Sequence, residues 1–181
     1  MFYSSGTTGR PKGIKQALSG AGFGEVASPL EMLLRGVYAF GDHTRYLCPA
    51  PLYHAAPLGW TCTTQRIGGT VVVMERFDPE DALSCIERFG ITEAQFVPTH
   101  FVRMLKLDDA IRQRHDLSSL RKAVHAAAPC PIEVKHQMID WWGPKIYEYY
   151  AGSEGVGLTA IGPEEWLAHP GSVGKSVRGI A

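Results

Sequence analysis

Hydrophobic positions along this chain change their spacing from one segment to the next, and the changes mark strands and helices in alternation. Residues 1–3 are a short apolar start that leads straight into a glycine-rich stretch, residues 4–13. Beyond the flexible residues 20–24, Ser28-Pro29-Leu30-Glu31 has the form of a capping box with proline at the first helical position. Leu30, Leu33, Leu34 and Val37 then follow at the spacing of one helical face. Residues 45–48 predict a short strand stopped by Pro49 and Pro51, and residues 54–67 a helix ended by Gly68-Gly69. Residues 70–74 are an unbroken apolar, β-branched run, the pattern of a strand buried on both faces. Asp78-Pro79 opens another helix, with Ala82, Leu83, Ile86 and Phe89 turned inward and Gly90 as its stop. The same reading gives strands at 94–97, 122–125 and 146–150, helices at 98–107 and 131–142, and a loop at 152–157.

Strand and helix alternate with no internal repeat and no low-complexity segment. That pattern predicts an α/β fold, a mainly parallel sheet with helices on both faces. In such sheets ligands gather at the carboxyl ends of the strands. The loops that carry candidate chemistry all follow predicted strands.

Composition narrows the classes. The 181 residues suffice for one domain with a sizeable core. Lys plus Arg is 18 and Asp plus Glu is 18, so bulk charge recruits neither nucleic acid nor anionic membrane. Cys48, Cys62, Cys85 and Cys130 form no CxxC pair, which argues against a structural zinc site and against a disulfide framework. A reducing, cytoplasmic compartment is expected. The start of the chain is not expected to act as a signal peptide, because residues 4–13 are polar where an apolar core should lie. No apolar run reaches the roughly 18 residues that a membrane span needs.

The most informative stretch is Tyr3-Ser4-Ser5-Gly6-Thr7-Thr8-Gly9-Arg10-Pro11-Lys12-Gly13. Glycines let backbone fold tightly around an anion, hydroxyls add donors, and Lys12 adds a point charge. Together they suit a polyphosphate, although composition alone also fits a flexible linker. The P-loop of nucleotide triphosphatases is excluded: Pro11 stands where that motif needs glycine, and Gly13 where it needs a hydroxyl for magnesium. In its order the string resembles the signature loop of the adenylate-forming superfamily, which includes acyl-CoA synthetases, luciferases, aryl-CoA ligases and peptide-synthetase adenylation domains. The resemblance implies that Ser4, Ser5, Gly6, Thr7, Thr8, Gly9 and Lys12 wrap the terminal phosphates of ATP. Thr7 and Thr8 would be hydroxyl donors, and Lys12 would offset charge developing on the pyrophosphate.

Further motifs resemble the family in the same order. Pro51-Leu52-Tyr53-His54 is similar to its second core motif, which places His54 beside the acyl pocket. By itself, a lone His after a strand is more often structural. Ala126-Ala127-Ala128-Pro129 resembles a G-G-A-P turn; Ala127, Ala128 and Pro129 would lie against adenine and ribose. Tyr150-Ala151-Gly152-Ser153-Glu154 resembles Y-G-x-T-E. Under that alignment Tyr150 stacks on adenine, Ala151 and Gly152 line the site, Ser153 contacts the α-phosphate, and Glu154 holds magnesium. Magnesium takes oxygen ligands, so a carboxylate fits. Ala151 replaces the usual glycine, and its methyl demands an ordinary φ. Val97, in Val97-Pro98-Thr99, and Tyr149 would face the acyl substrate together with His54.

The resemblance covers all 181 residues and runs most toward bacterial fatty-acyl-CoA synthetases. It implies an acetyl-CoA synthetase-like fold, of which residues 1–181 are a piece of the AMP-binding (adenylation) domain without the N-terminal subdomain and the C-terminal domain. The implied activity has two steps. A carboxylate, by this resemblance that of a fatty acid, attacks the α-phosphate of ATP-Mg to give acyl-AMP and pyrophosphate; the thiol of coenzyme A then displaces AMP. Thr7, Lys12 and Glu154 would carry the first step through positioning and charge. The piece alone is expected to be inactive and to self-associate through edges that neighbouring subdomains would cover. Two other readings stand beside this one. Ala151-Gly152-Ser153-Glu154-Gly155 fits a loose nucleophile elbow of a serine hydrolase, with His169 as base and Glu164 or Glu165 as acid. A non-catalytic nucleotide-binding module is the other.

Overall fold

The computed structural model describes residues 9–15, 20–22, 25–153, 155 and 157–177, together with the backbone of residues 2–4. Chain-local signals account for most helix ends. Helix α1 (Pro29–Gly36) starts where the Ser28 hydroxyl accepts the Glu31 N–H at 3.1 Å. The reciprocal half of the expected capping box does not form. The Glu31 carboxylate instead meets Arg35 at 3.1 Å and Arg66 at 2.7 Å. Helix α2 (Ala55–Ile67) begins after His54 and ends on Gly68 at φ 99°. Helix α3 (Pro79–Phe89) is capped by Asp78, whose carboxylate accepts from the N–H groups of Glu80 and Asp81, and stops on Gly90 at φ 57°. Left-handed glycines at both stops are what the sequence called for.

Strands β1 (Phe2–Ser4) and β2 (Lys12–Ile14) pair antiparallel as a hairpin, with Ser4 opposite Lys12. The larger sheet contains β3 (Arg45–Cys48), β4 (Thr70–Val73), β5 (Glu93–Phe96), β6 (Lys122–His125), β7 (Ile146–Ala151), β8 (Leu158–Ile161) and β9 (Lys175–Ser176), in the order β4-β3-β5-β6-β7-β8-β9. The first five strands in that order are parallel; β8 and β9 join antiparallel. Helices α4 (Pro98–Leu105), α5 (Asp109–Arg112), α6 (Ile132–Trp142) and α7 (Pro163–Ala168) complete the described elements.

Side chains alternate across the sheet, as strand geometry requires. One face carries Leu47, Ala94, Phe96, Ala123 and Ile146, packed on residues of α3, α4, α6 and α7. The other carries Tyr46, Cys48, Val124 and Tyr149, packed on α1 and α2 through Leu33, Leu34, Trp60 and Ile67. The sheet therefore lies between two helical layers, as the alternation predicted.

Several sequence expectations need correction. The run at 70–74 is not a strand buried on both faces: Thr70 and Val73 are exposed and Val71 and Val72 only half-buried. β4 is the outermost strand, so it has one neighbour where a central strand has two. β5 begins one residue earlier than its apolar run, at Glu93. That carboxylate is buried because Arg121 reaches it at 3.1 Å. β2, β8, β9, α5 and α7 were not anticipated. Residues 158–161 form a half-buried strand whose mixed composition hides its period.

Candidate active site

Because β3, β5, β6 and β7 are parallel, their carboxyl ends open on one edge of the sheet. Each is followed by a segment that the sequence singled out: His54 after β3, Val97 after β5, Ala126–Pro129 after β6, and Tyr150–Ser153 at the end of β7. These four strands are also adjacent in the sheet. The chain reverses direction between β3 and β5, since β4 lies on one side of β3 and β5 on the other. Ligands of open α/β sheets sit at such a switch point. His54 and Val97 flank it.

His54 is exposed at the N-cap of α2, its ring 4.4 Å from the exposed ring of Tyr53. Val97 is half-buried at the N-cap of α4, and its N–H donates to Nδ1 of His100 at 3.4 Å. His100 is stacked on Phe77 at 3.9 Å. Burial, with the charge of Arg103 adding to it, lowers its pKa to about 4, so the ring is neutral and can accept that bond.

Ala126 is buried, whereas Ala127, Ala128 and Pro129 are exposed in the turn after β6. Ala127 has φ 76°, a left-handed conformation in a residue with a side chain. Such conformations persist where the surroundings force them, often at functional sites. Tyr150 is 66% exposed, its ring open for stacking. Ala151 lies in β7 opposite Leu158, in the ordinary extended backbone that its methyl demanded. Gly152 and Ser153 turn the chain, closed by a bond from the Gly155 N–H to the Gly152 carbonyl at 3.1 Å. Tyr149 points the other way, into the α1/α2 layer. It is 8% exposed, stacks on Trp60 at 5.7 Å, and its hydroxyl accepts from Gln95 Nε2 at 2.7 Å. Burial pushes its pKa up to about 12, so it stays a neutral phenol.

Of the glycine-rich loop, Gly9 has φ 80° with open space around it, and Arg10, Pro11 and Lys12 are exposed. Ser4 is described by its backbone alone, paired with Lys12. Ser5, Gly6, Thr7, Thr8 and Glu154 lie outside the described residues. Among the described residues, no group of three His, Cys, Asp or Glu side chains gathers to hold a metal ion.

Under the exposed loops lies a cluster that sequence reading missed. Lys135 of α6 is fully buried, with Nζ 2.6 Å from Glu148 Oε2 and 4.6 Å from the ring centre of Trp166. His125 is also fully buried, with Nε2 3.4 Å from the same oxygen. Burial lowers the His125 pKa to about 3, with Lys135 adding to it. A signal was present: Lys135 shares the inward face of its helix with Met138, Ile139 and Trp142, and Glu148 shares that of its strand with Ile146.

The serine-hydrolase reading fails on topology. A nucleophile elbow needs a strand that turns into a helix. Here β7 turns into the antiparallel β8, and α7 comes only after that strand.

A family model described as AMP-binding enzyme matches residues 1–181. The chain belongs to the AMP-binding enzyme family. It is 36% identical over 162 residues to 4-coumarate--CoA ligase 5 of Oryza sativa subsp. japonica, covering 89% of this chain and 28% of that protein. It is 29% identical over 179 residues to 2-succinylbenzoate--CoA ligase of Bacillus pumilus, covering 99% of this chain and 35% of that one. The chain thus spans about a third of the length of the curated relatives it matches. Among solved structures, O-succinylbenzoate coenzyme A synthetase from Bacillus subtilis in complex with AMP superimposes with a TM-score of 0.79 at 26% identity, over 98% of this chain and 34% of that one. The same enzyme with ATP and magnesium ion gives 0.77. ATP-bound MatB from Rhodopseudomonas palustris gives 0.80 at 24% identity, a likeness of fold alone. The acyl-CoA synthetase-like fold expected from the motifs is the fold of this AMP-binding family member. Among its described residues, no helix is long and apolar enough to cross a membrane.

Proposed function

We propose that this chain contributes the nucleotide site of an enzyme that activates a carboxylic acid with ATP, forming acyl-AMP and then the coenzyme A thioester. The observation that carries the reading is the convergence of four family-type segments on neighbouring parallel strands, at one sheet edge. In this reading Tyr150 stacks on adenine while Ala127, Ala128 and Pro129 lie along the ring edge and ribose. Gly152 and Ser153 approach the α-phosphate. Ser4, Ser5, Gly6, Thr7, Thr8 and Gly9 enclose the terminal phosphates, and Lys12, exposed and opposite Ser4, offsets their charge. Glu154 would hold the magnesium that accompanies ATP, a carboxylate for an ion that takes oxygen ligands, and the ion would offset phosphate charge. In-line attack then needs positioning and charge stabilisation more than covalent help.

The acid is proposed to have an apolar body, a fatty acid first and an aryl acid next. Residues 49–59 and 97–102, which flank the switch point, contain His54 and His100 but no Lys or Arg, and Arg103, next along α4, is turned to the carbonyl and ring of Phe77. Thioester formation by the whole reading frame, faster with a dicarboxylic acid than with a fatty or aryl acid, would remove this part.

Titration of the chain with ATP-Mg tests the core of the proposal. Binding without turnover is expected, and Lys12→Ala should weaken it about tenfold, roughly one charge-assisted contact. Equal affinities for the two proteins would remove the phosphate-loop assignment.

A further inference from the structure

Glu148 stands against both ends of the turn after β6, beside one through the sheet ladder and bonded to the other through its carboxylate. His125, the last residue of β6, sits directly opposite Glu148 in the β6–β7 ladder, with Nε2 3.4 Å from Oε2. Lys135, in the first turns of α6, donates to that same Oε2 at 2.6 Å. Everything between these two contacts is the exposed turn Ala127–Pro129 and the lead into α6. Glu148 itself is two residues before Tyr150, so the oxygen is fixed to the strand that presents the second loop.

The arrangement is a poor way to gain stability. Both partners are buried, the ammonium has lost its water, and an apolar pair of the same volume would pack there at no such cost. What a buried, directional pair supplies is geometry. The turn it spans needs that, because Ala127 is held at φ 76°, a conformation that its own residue type resists. Trp166 covers the ammonium at 4.6 Å, and Phe101 packs edge-on against His125 at 5.5 Å. These apolar walls keep the cluster from re-pairing with water.

We propose that the Glu148–Lys135 pair, with the ladder pairing of His125 and Glu148, forms a positioning clamp of these three residues, which sets the Ala127–Pro129 turn against the end of β7 and so keeps the two nucleotide-facing loops in register. None of the three touches nucleotide; they act through the loops above them. The inference rests on the nucleotide reading of those loops for its function, and on the geometry alone for its mechanical part.

Amide hydrogen exchange on the whole chain separates the two. In Lys135→Met/Glu148→Gln, which removes both charges and keeps the volume, peptides covering 126–131 and 150–153 should exchange about tenfold faster, as for a locally loosened unit. Peptides covering β3 and α3 should keep their rates. ATP affinity should fall about tenfold in parallel. Unchanged exchange in the two loops overturns the clamp, and so does an equal rise throughout the chain, which marks a merely structural cluster. Faster loops in a chain whose wild type binds no ATP leave the clamp standing and remove the nucleotide reading. Should the double variant lose its near-ultraviolet dichroism, Glu148→Asp serves, which keeps the charge beside Lys135 and shortens its arm, with a rise of about threefold in the same two loops. Loss of folded signal there too assigns the cluster to the fold as a whole and overturns the clamp.

Discussion

Ala127 and Ala151 both stand where the family resemblance leads one to expect glycine, yet the fold treats them differently. Ala151 is extended in β7 and its methyl is at home. Ala127 is left-handed at φ 76°, where the methyl crowds the following carbonyl. Glycine at position 127 removes a cost of about 1–2 kcal/mol in the folded chain, and gives back about 0.4–1 kcal/mol through the freedom of the unfolded one. Ala127→Gly should therefore stabilise the chain by about 0.5–1 kcal/mol, read as a higher urea midpoint at unchanged slope. A lower midpoint would mean that the methyl supports the turn in some other way. The motif string named the turn, but a backbone angle at one residue is set by what surrounds it. The strain was legible only in three dimensions.

At the scale of elements, sequence reading did best where chain-local chemistry decides. Asp78 with Gly90, and Ser28 with Pro29, mark helix ends that the structure reproduces. It did worst where a neighbour decides. The apolar run of β4 gave no hint that the strand lies at an edge, and Lys135 and Glu148 interrupt core faces because each answers the other. Glu31 belongs to the second kind. As half of a capping box, it would contribute about as much as Ser28, roughly 1 kcal/mol. As a buried carboxylate shared by Arg35 and Arg66, it ties α1 to α2. Ser28→Ala should then cost about 1 kcal/mol, and Glu31→Ala about 2–3 kcal/mol, between a cap and a fully buried pair. Equal losses in denaturant melts would restore the capping-box role and remove the tie between the helices.

Over the whole molecule, the parallel order of the sheet carries the site, while the layer formed by α3, α4, α6 and α7 carries a sensitivity to acid. Two buried imidazoles, His100 and His125, pack in that layer. Burial lowers the pKa of His100 to about 4 and of His125 to about 3, from an ordinary value of 6.5. In the unfolded chain both take up protons as pH falls through that ordinary value, whereas the folded chain refuses them until far lower pH. The unfolded state thus binds more protons in this window, so stability rises with pH and is fully present above about 6.5. Below it, each group removes up to about 1.4 kcal/mol per pH unit, and both together up to about 2.7. A domain with about 5–15 kcal/mol in hand loses a large share of it by pH 4.5. The urea midpoint should therefore fall steadily from pH 6.5 toward pH 4.5. His100→Phe, which keeps the stack on Phe77 and removes one titrating ring, should make that fall shallower by about one proton's worth. A midpoint that stays level across this interval would show that the imidazoles take protons in the folded chain, and that the packing around them admits water.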